Sequence, residues 1–229
     1  MARTLFVAGT DTGVGKTAVA VALLRALAGS GWRAAAMKPV ASGREPGEAL
    51  NADVAALVGA AGVAAPLPEV NPYAFDAPIA PHVAAEEAGR RIELRVIRTA
   101  AAALARRADV VVVEGAGGVL VPLDERHDML DVAIALDATV LLVVGVRLGC
   151  INHALLSALA IRARGVPLAG WVATRVDPAM RCADASVAAI AARIGAPLLA
   201  DLPGPDSPWP DGALAALGFP PRAGHAPPP

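Results

Sequence analysis

Short, almost wholly apolar runs alternate along this chain with longer stretches in which apolar residues recur at helical spacing. The runs Thr4–Ala8, Ala34–Lys38, Val110–Glu114, Thr139–Val144, Leu168–Thr174 and Pro197–Leu202 read as strands. Val110–Val113 and Val140–Val144 hardly alternate with polar residues, which fits strands covered on both faces, as in a parallel sheet. The stretches Lys16–Ala28, Ala52–Ala60, Glu93–Arg107, Met129–Leu136, Asn152–Arg164 and Met180–Ile194 read as helices, with Gly29 and Gly165 at two expected stops. This order predicts an α/β fold: a doubly wound, mostly parallel sheet with helices on both faces. Ligands of such sheets sit at the carboxyl ends of the strands, so the loops there carry the chemistry.

Two segments break the pattern. Pro66–Pro81 holds five prolines and reads as an irregular excursion. From Pro203 onward the chain is rich in Pro, Gly and Ala, and its last stretch, PPRAGHAPPP, has a disordered composition. The expected organisation is one domain over residues 1–203 followed by a tail over 204–229.

Composition narrows the class. The 229 residues are 55% hydrophobic but only 3% aromatic, so the core must be built from Ala, Val, Leu and Ile. A net charge of −1 leaves no broad basic field for nonspecific nucleic-acid binding. Neither a signal peptide nor a membrane-spanning run is evident, and two cysteines suit a reducing compartment, so a soluble cytoplasmic protein is expected. The four histidines show no zinc-ligand spacing, and Cys150 reads as a buried thiol without a nucleophile's partners.

The first strand runs into GTDTGVGKT, residues 9–17, and then into a helix. The usual phosphate loop, G-x-x-x-x-G-K-[ST], would put its first glycine at position 10, whereas here it stands at Gly9. The physics tolerates the offset. Gly13 and Gly15 permit a backbone that turns amides inward, and the following helix aims its positive end at the same point. Lys16 can reach the outer phosphates and Thr17 can hold Mg²⁺. Other strand ends supply further groups: Lys38 and Ser42 after the second strand, Glu114 followed by Gly115, Ala116 and Gly117 after the third, and Gly149–Asn152 at a later helix start. Glu114 is placed as a Mg²⁺ partner, Lys38 as a group facing an anion, and Asp53 as either a helix-capping residue or a further metal ligand.

Together these pieces resemble the dethiobiotin synthetase family. The matching stretches are GTDTGVGKT, KPVASG (38–43), NPYAFDAPIAPH (71–82), VEGAGG (113–118), VGVRLGCINHA (144–154) and LAGWVA (168–173), in the family's order and covering most of the chain to about Pro203. The resemblance implies a P-loop NTPase-like fold and an ATP- and Mg²⁺-dependent cyclo-ligase of biotin biosynthesis. Such an enzyme joins CO₂ to 7,8-diaminononanoate through a carbamate and a carbamic-phosphoric mixed anhydride. It implies Lys38, Lys16 and Thr12 as catalytic residues, and Thr17, Asp53 and Glu114 as the Mg²⁺ set. It implies ATP contacts from Gly13, Val14, Gly15, Lys16, Thr17, Ala18, Asp53, Glu114, Gly115, Ala116, Gly117, Thr174, Arg175, Leu202 and Pro203. Ser42 and the run Gly149, Cys150, Ile151, Asn152 are implied for the second substrate, near a homodimer interface. The chain departs from the family after LAGWVA, where an Asn-Asp pair often meets adenine and Thr174-Arg175 stand instead. A guanidinium accepts no hydrogen bond.

A partitioning or positioning ATPase, a nucleotide-driven switch, is the competing class. Those proteins carry a lysine five residues before the loop lysine, where this chain has Asp11, and KPVASG would have no task in a switch. A related amide-forming ligase on a large ring acid would carry a glutaminase domain, for which the sequence shows no matching stretch.

Overall fold

A computed structural model describes residues 2–44 and 47–222. The chain runs β1 (Arg3–Gly9), α1 (Lys16–Gly29), β2 (Ala34–Met37), β3 (Val40–Ser42), α2 (Ala52–Ala60), α3 (Leu67–Val70), β4 (Tyr73–Phe75), α4 (Pro81–Glu87), α5 (Leu94–Ala105), β5 (Val110–Gly118), α6 (Met129–Ala135), β6 (Thr139–Gly145), α7 (Cys150–Ala163), β7 (Leu168–Thr174), α8 (Ala183–Ile194), β8 (Leu198–Leu202) and α9 (Ala213–Ala216). Six strands form a parallel sheet in the order β2-β5-β1-β6-β7-β8. β3 and β4 form a separate parallel pair.

The apolar runs are apolar because both faces of each strand are covered. Leu5, Val7, Val110, Val112, Leu141 and Val143 pack with Val19, Leu23, Leu24 and Leu27 of α1. Their alternate neighbours Phe6, Ala8, Val111, Val113, Val140 and Leu142 pack on the opposite side with Ile97 of α5, Leu130 of α6, Ile161 of α7 and Ile190 of α8. The period of two along each strand thus divides one sheet between two cores.

Element ends shift for local reasons. β2 stops at Met37 because Lys38 N turns aside to donate to Val70 O at 2.8 Å and the next residue, Pro39, has no N–H. α7 starts at Cys150, two residues earlier than its pattern predicts, because Gly149 turns into it at φ 94°. α8 starts three residues later than predicted, at Ala183, because Cys182 sits at φ 58°.

The proline segment is more ordered than its composition suggests. Pro66 precedes α3 and Pro81 opens α4, positions where a missing N–H costs nothing. Between them Tyr73 and Phe75 are buried, and β4 pairs with β3 in the register Val40↔Tyr73, Ala41↔Ala74, Ser42↔Phe75. This pair holds the KPVASG stretch over the site.

Packing also continues past the boundary expected at residue 203. Trp209, Leu214, Leu217 and Phe219 are buried in the α1-side core. The Arg3 guanidinium lies 3.9 Å from the Phe219 ring centroid and Trp32 meets that ring edge-on at 5.3 Å. Apolar residues at four positions outweigh the Pro- and Gly-rich composition around them. Of the stretch 220–229, expected to be disordered, Pro220 and Arg222 are held in place, Pro220 O accepting from Trp32 Nε1 at 3.0 Å and Arg222 N donating to Ser30 O at 3.0 Å, while residues 223–229 lie outside the described residues. Phe219→Ala is expected to destabilise the fold by about 3–5 kcal/mol in a denaturant titration. An unchanged midpoint would show that this segment does not pack on the core.

Candidate functional site

The loop between β1 and α1 is shaped by two glycines with different tasks. Gly15 caps α1 at φ 85°, a left-handed conformation that side chains disfavour, and a Cβ there would also stand 3.3 Å from Thr174. Gly9, the residue that comes one position early for a standard phosphate loop, ends β1. A Cβ on it would meet the Lys16 side chain and Val14 at 2.9 Å. Gly9 therefore lets Lys16 lie back across the strand end, where Nζ donates to Asp11 O at 2.9 Å.

Thr174 braces this loop from below. Its buried hydroxyl reaches Val14 O at 2.6 Å and Val144 O at 3.2 Å. Burial pushes the Lys16 ammonium down to about 8, Lys38 adds to the effect, and Glu114, Asp53 and Asp11 oppose it.

Strand register brings the second lysine to the same place. Met37 pairs with Val113, so Lys38, just past the end of β2, stands beside Glu114 within β5. Glu114 is fully buried and Lys38 nearly so. Lys38 Nζ donates to Glu114 Oε1 and, at 2.9 Å, to Asp53 Oδ2. Thr17 Oγ1 donates to Glu114 Oε1 at 2.9 Å, while Glu114 Oε2 is buried with no partner. Burial alone would lower the Lys38 pKa, but the two carboxylates outweigh it and raise it above the ordinary lysine value. Asp53 is also exposed to a burial penalty, which Lys38 overrides, so its carboxyl lies below the usual range.

Asp53 is not the capping residue of α2. Asn51 is: its side chain accepts from Asp53 N at 3.0 Å, which leaves the Asp53 carboxylate free to face Lys38. Lys38 itself is fastened by Asn71, whose Nδ2 donates to Lys38 O at 2.7 Å and Tyr73 O at 3.1 Å. Sequence reasoning gave Asn71 no role. Its place before Pro72 in NPY was the available signal, but its partner is 33 residues away.

A cavity of about 770 Å³ opens onto these groups. Thr12, Gly13, Gly15, Lys16, Thr17, Lys38, Ser42, Asp53, Glu114, Ala116 and Gly117 line it, with Pro78–Pro81 and Val121. The Ser42 hydroxyl is buried there without a partner. The remaining expected residues stand elsewhere. Val14 is buried beneath the loop, Ala18 lies within α1, and Gly115 backs onto Phe6. Leu202 O accepts from Arg175 N at 3.0 Å, and Pro203 is exposed beyond it. The Arg175 guanidinium is held by Asp201, with Nε–Oδ1 at 2.8 Å, and by Asp184 at 2.8 Å. Gly149, Cys150, Ile151 and Asn152 do not line the cavity of their own chain; Cys150 is buried, and Ile151 and Asn152 face outward.

The arrangement suits a nucleoside triphosphate with a hard divalent cation. Among the described residues no group of three or more His, Cys, Asp or Glu side chains stands close enough to hold a metal ion by itself. Two carboxylates and a hydroxyl at Asp53, Glu114 and Thr17 remain the kind of oxygen set that Mg²⁺ takes alongside phosphates, and the unpartnered Glu114 oxygen fits it.

Comparison with known proteins agrees. A family model described as an AAA domain matches residues 3–207. The chain is 52% identical over 203 residues to the ATP-dependent dethiobiotin synthetase BioD of Nitrosospira multiformis, covering 89% of each. It is 52% identical to the protein of that name from Aromatoleum aromaticum, covering 88% of this chain and 90% of the other. Two solved structures share the fold: the septum site-determining protein MinD of Pyrococcus horikoshii, with Mg-ADP (TM-score 0.56, 15% identity, 96% of this chain and 89% of that one), and the cell division ATPase MinD of Pyrococcus furiosus (TM-score 0.56, 18% identity, 96% and 90%). At those identities the MinD likeness concerns the fold alone, whereas the sequence relatives carry the family: the chain belongs to the ATP-dependent dethiobiotin synthetases.

Proposed function

We propose that this chain closes the cyclic urea of dethiobiotin from 7,8-diaminononanoate and CO₂ at the expense of ATP, as a cytoplasmic enzyme of biotin biosynthesis. The observation that carries the reading is the convergence of Lys16, Lys38, Thr17, Asp53 and Glu114 on one cavity, in a chain half identical to enzymes of that name.

In the proposed sequence one amine of the diamino acid adds to CO₂ and releases a proton, giving a carbamate. A carbamate oxygen then attacks the γ-phosphorus of ATP, and ADP leaves. The second amine attacks the carbonyl carbon of the mixed anhydride, the C–O bond to phosphate breaks, the nitrogen releases a proton, and the ring closes.

The triphosphate, the carbamate and the transferring phosphoryl group are all anionic, and the chain supplies two ammonium groups for them. Lys16 is assigned to the phosphates, Lys38 to the carbamate, and Thr12 to the reacting groups. The Ser42 hydroxyl, itself buried and unpartnered, is assigned to the amine end of the substrate. Thr17, Asp53 and Glu114 would hold Mg²⁺, which when bound supplies charge neutralisation to the phosphates.

A second copy of the chain completes the proposal. Gly149–Asn152 stand outside their own cavity, where a helix start would suit a substrate carboxylate. Leu148 is 92% exposed, and Leu156 and Leu159 lie exposed further along α7. An apolar stripe beside a ligand loop suits a homodimer with the substrate site near its interface.

With ATP, Mg²⁺, bicarbonate and the diamino acid, dethiobiotin is expected together with equal ADP and phosphate. ATP turnover stimulated by DNA or lipid vesicles, without that product, would point to the switch class instead. Lys38→Gln, chosen over Ala because it keeps a polar partner beside the buried Glu114, is expected to slow synthesis about 10²-fold or more. ATP affinity in a calorimetric titration should change little, and equal loss of both would refute the division between the lysines. Leu159→Glu is expected to shift the protein to monomers in light scattering and to impair synthesis; an unaltered oligomer would exclude this face of α7.

A further inference from the structure

One ion pair at the edge of the site has no part in the reaction above. Asp11, in the loop after β1, accepts from the guanidinium of Arg147, in the turn between β6 and α7. The residues are 136 positions apart, but they leave neighbouring strands. Gly9 pairs with Val143, and Thr10 N donates to Val143 O at 3.0 Å. The pair therefore joins the turns that stand above β1 and β6.

Asp11 is also bonded inward, toward the phosphate side. Its Oδ1 accepts from Thr12 N at 2.7 Å, and its carbonyl accepts from Lys16 Nζ at 2.9 Å. One residue thus fixes its own loop, receives the loop lysine and grips the neighbouring turn. Arg147 is bonded toward α7: its carbonyl accepts from Cys150 N at 2.9 Å, closing the turn in which Gly149 adopts φ 94°. The guanidinium therefore ties the start of α7 to the phosphate loop.

Folding stability gives no adequate reason for this contact. The two side chains are 39% and 46% exposed, and pairs that open to water contribute little. Its position between two ligand-facing loops gives a better one. A ligand that orders the phosphate loop holds Asp11 still, and Asp11 then holds Arg147 and the turn before α7. The ordering cost of the second ligand is lowered in advance.

We propose that the Arg147–Asp11 pair couples the phosphate loop of one protomer to the start of its own α7, so that nucleotide on that loop and the carboxylate of a diamino acid reaching α7 from the partner's cavity each strengthen the other's binding. The inference rests on the reading of Gly149–Asn152 as the receiver of that carboxylate. Arg147 and Asp11 act as positioning residues and touch neither reacting centre.

The test uses the full chain and a non-hydrolysable ATP analogue, with Kd measured by calorimetry in the absence and presence of saturating diamino acid, and the reverse. The unmodified chain is expected to show a tightening of about 5-fold or more in both directions. Arg147→Gln and Asp11→Asn should each bring that ratio close to one, Arg147→Lys should keep most of it, and the double variant should be no worse than either single. In turnover the KM of both substrates should rise while kcat at saturation is retained. A ratio of one in the unmodified chain overturns the proposal, as does a variant that keeps the full ratio, including one that merely melts at a lower temperature. An unmodified chain that shows coupled binding but forms no dethiobiotin overturns the assigned reaction and leaves the coupling standing.

Discussion

The contact between Lys38 and Glu114 is the constraint to which the rest of the site conforms. Glu114 is fully buried within β5, directly after its apolar run, and Lys38 is nearly so just past the end of β2. Neither charge is tolerable there alone, since removing one partner of a buried pair typically costs about 3–5 kcal/mol. The register Met37↔Val113 is what sets them side by side, so the pairing of β2 with β5 and the chemistry of the cavity are one requirement. The surrounding bonds read as means of holding this pair. Asn71 fixes the Lys38 carbonyl, Asn51 caps α2 so that Asp53 can share the ammonium, and Thr17 brings α1 onto the same carboxylate.

That arrangement leaves the site over-supplied with charge in a small volume. Two ammonium groups and two carboxylates face one another, and Lys16, nearer the loop, is pushed down to about 8 by burial and by Lys38. A polyanion entering the cavity would relieve the repulsion between the lysines, and a divalent cation would relieve that between the carboxylates. The cavity thus presents charge complementary to ligands of either sign.

The sequence carried the sheet and the ends of its strands because burial on both faces leaves a plain signature: Val110–Val113 and Val140–Val144 need no partner to be read as central strands. Gly-Lys-Thr after a strand was equally legible. What could not be read were contacts set by strand order. Asn71 finds Lys38 across 33 residues and Arg147 finds Asp11 across 136, and no periodicity predicts which turns will stand together. Short elements were lost for a different reason. β4 and the segment around Phe219 are built among prolines, where composition argues against order and a few buried aromatic side chains outweigh it. Gly9 looked misplaced only because a spacing rule counts residues; its task, making room for the Lys16 side chain, is a distance.

The two residues expected at the base end of the nucleotide are engaged within the protein itself. Thr174 spends its hydroxyl on the backbone of the phosphate loop, and the Arg175 guanidinium is taken by Asp201 and Asp184, a fork already filled. The guanidinium has no acceptor to offer an adenine amine, and the Thr174 hydroxyl is buried against the phosphate loop. By contrast Lys16, Lys38 and Glu114 are buried, and Thr17 and Asp53 are bonded to Glu114 and Lys38 from α1 and α2. In the proposed reaction this division follows the chemistry. The γ-phosphoryl group is transferred and must be placed to a fraction of an ångström, while the base is only a handle and tolerates looser contacts.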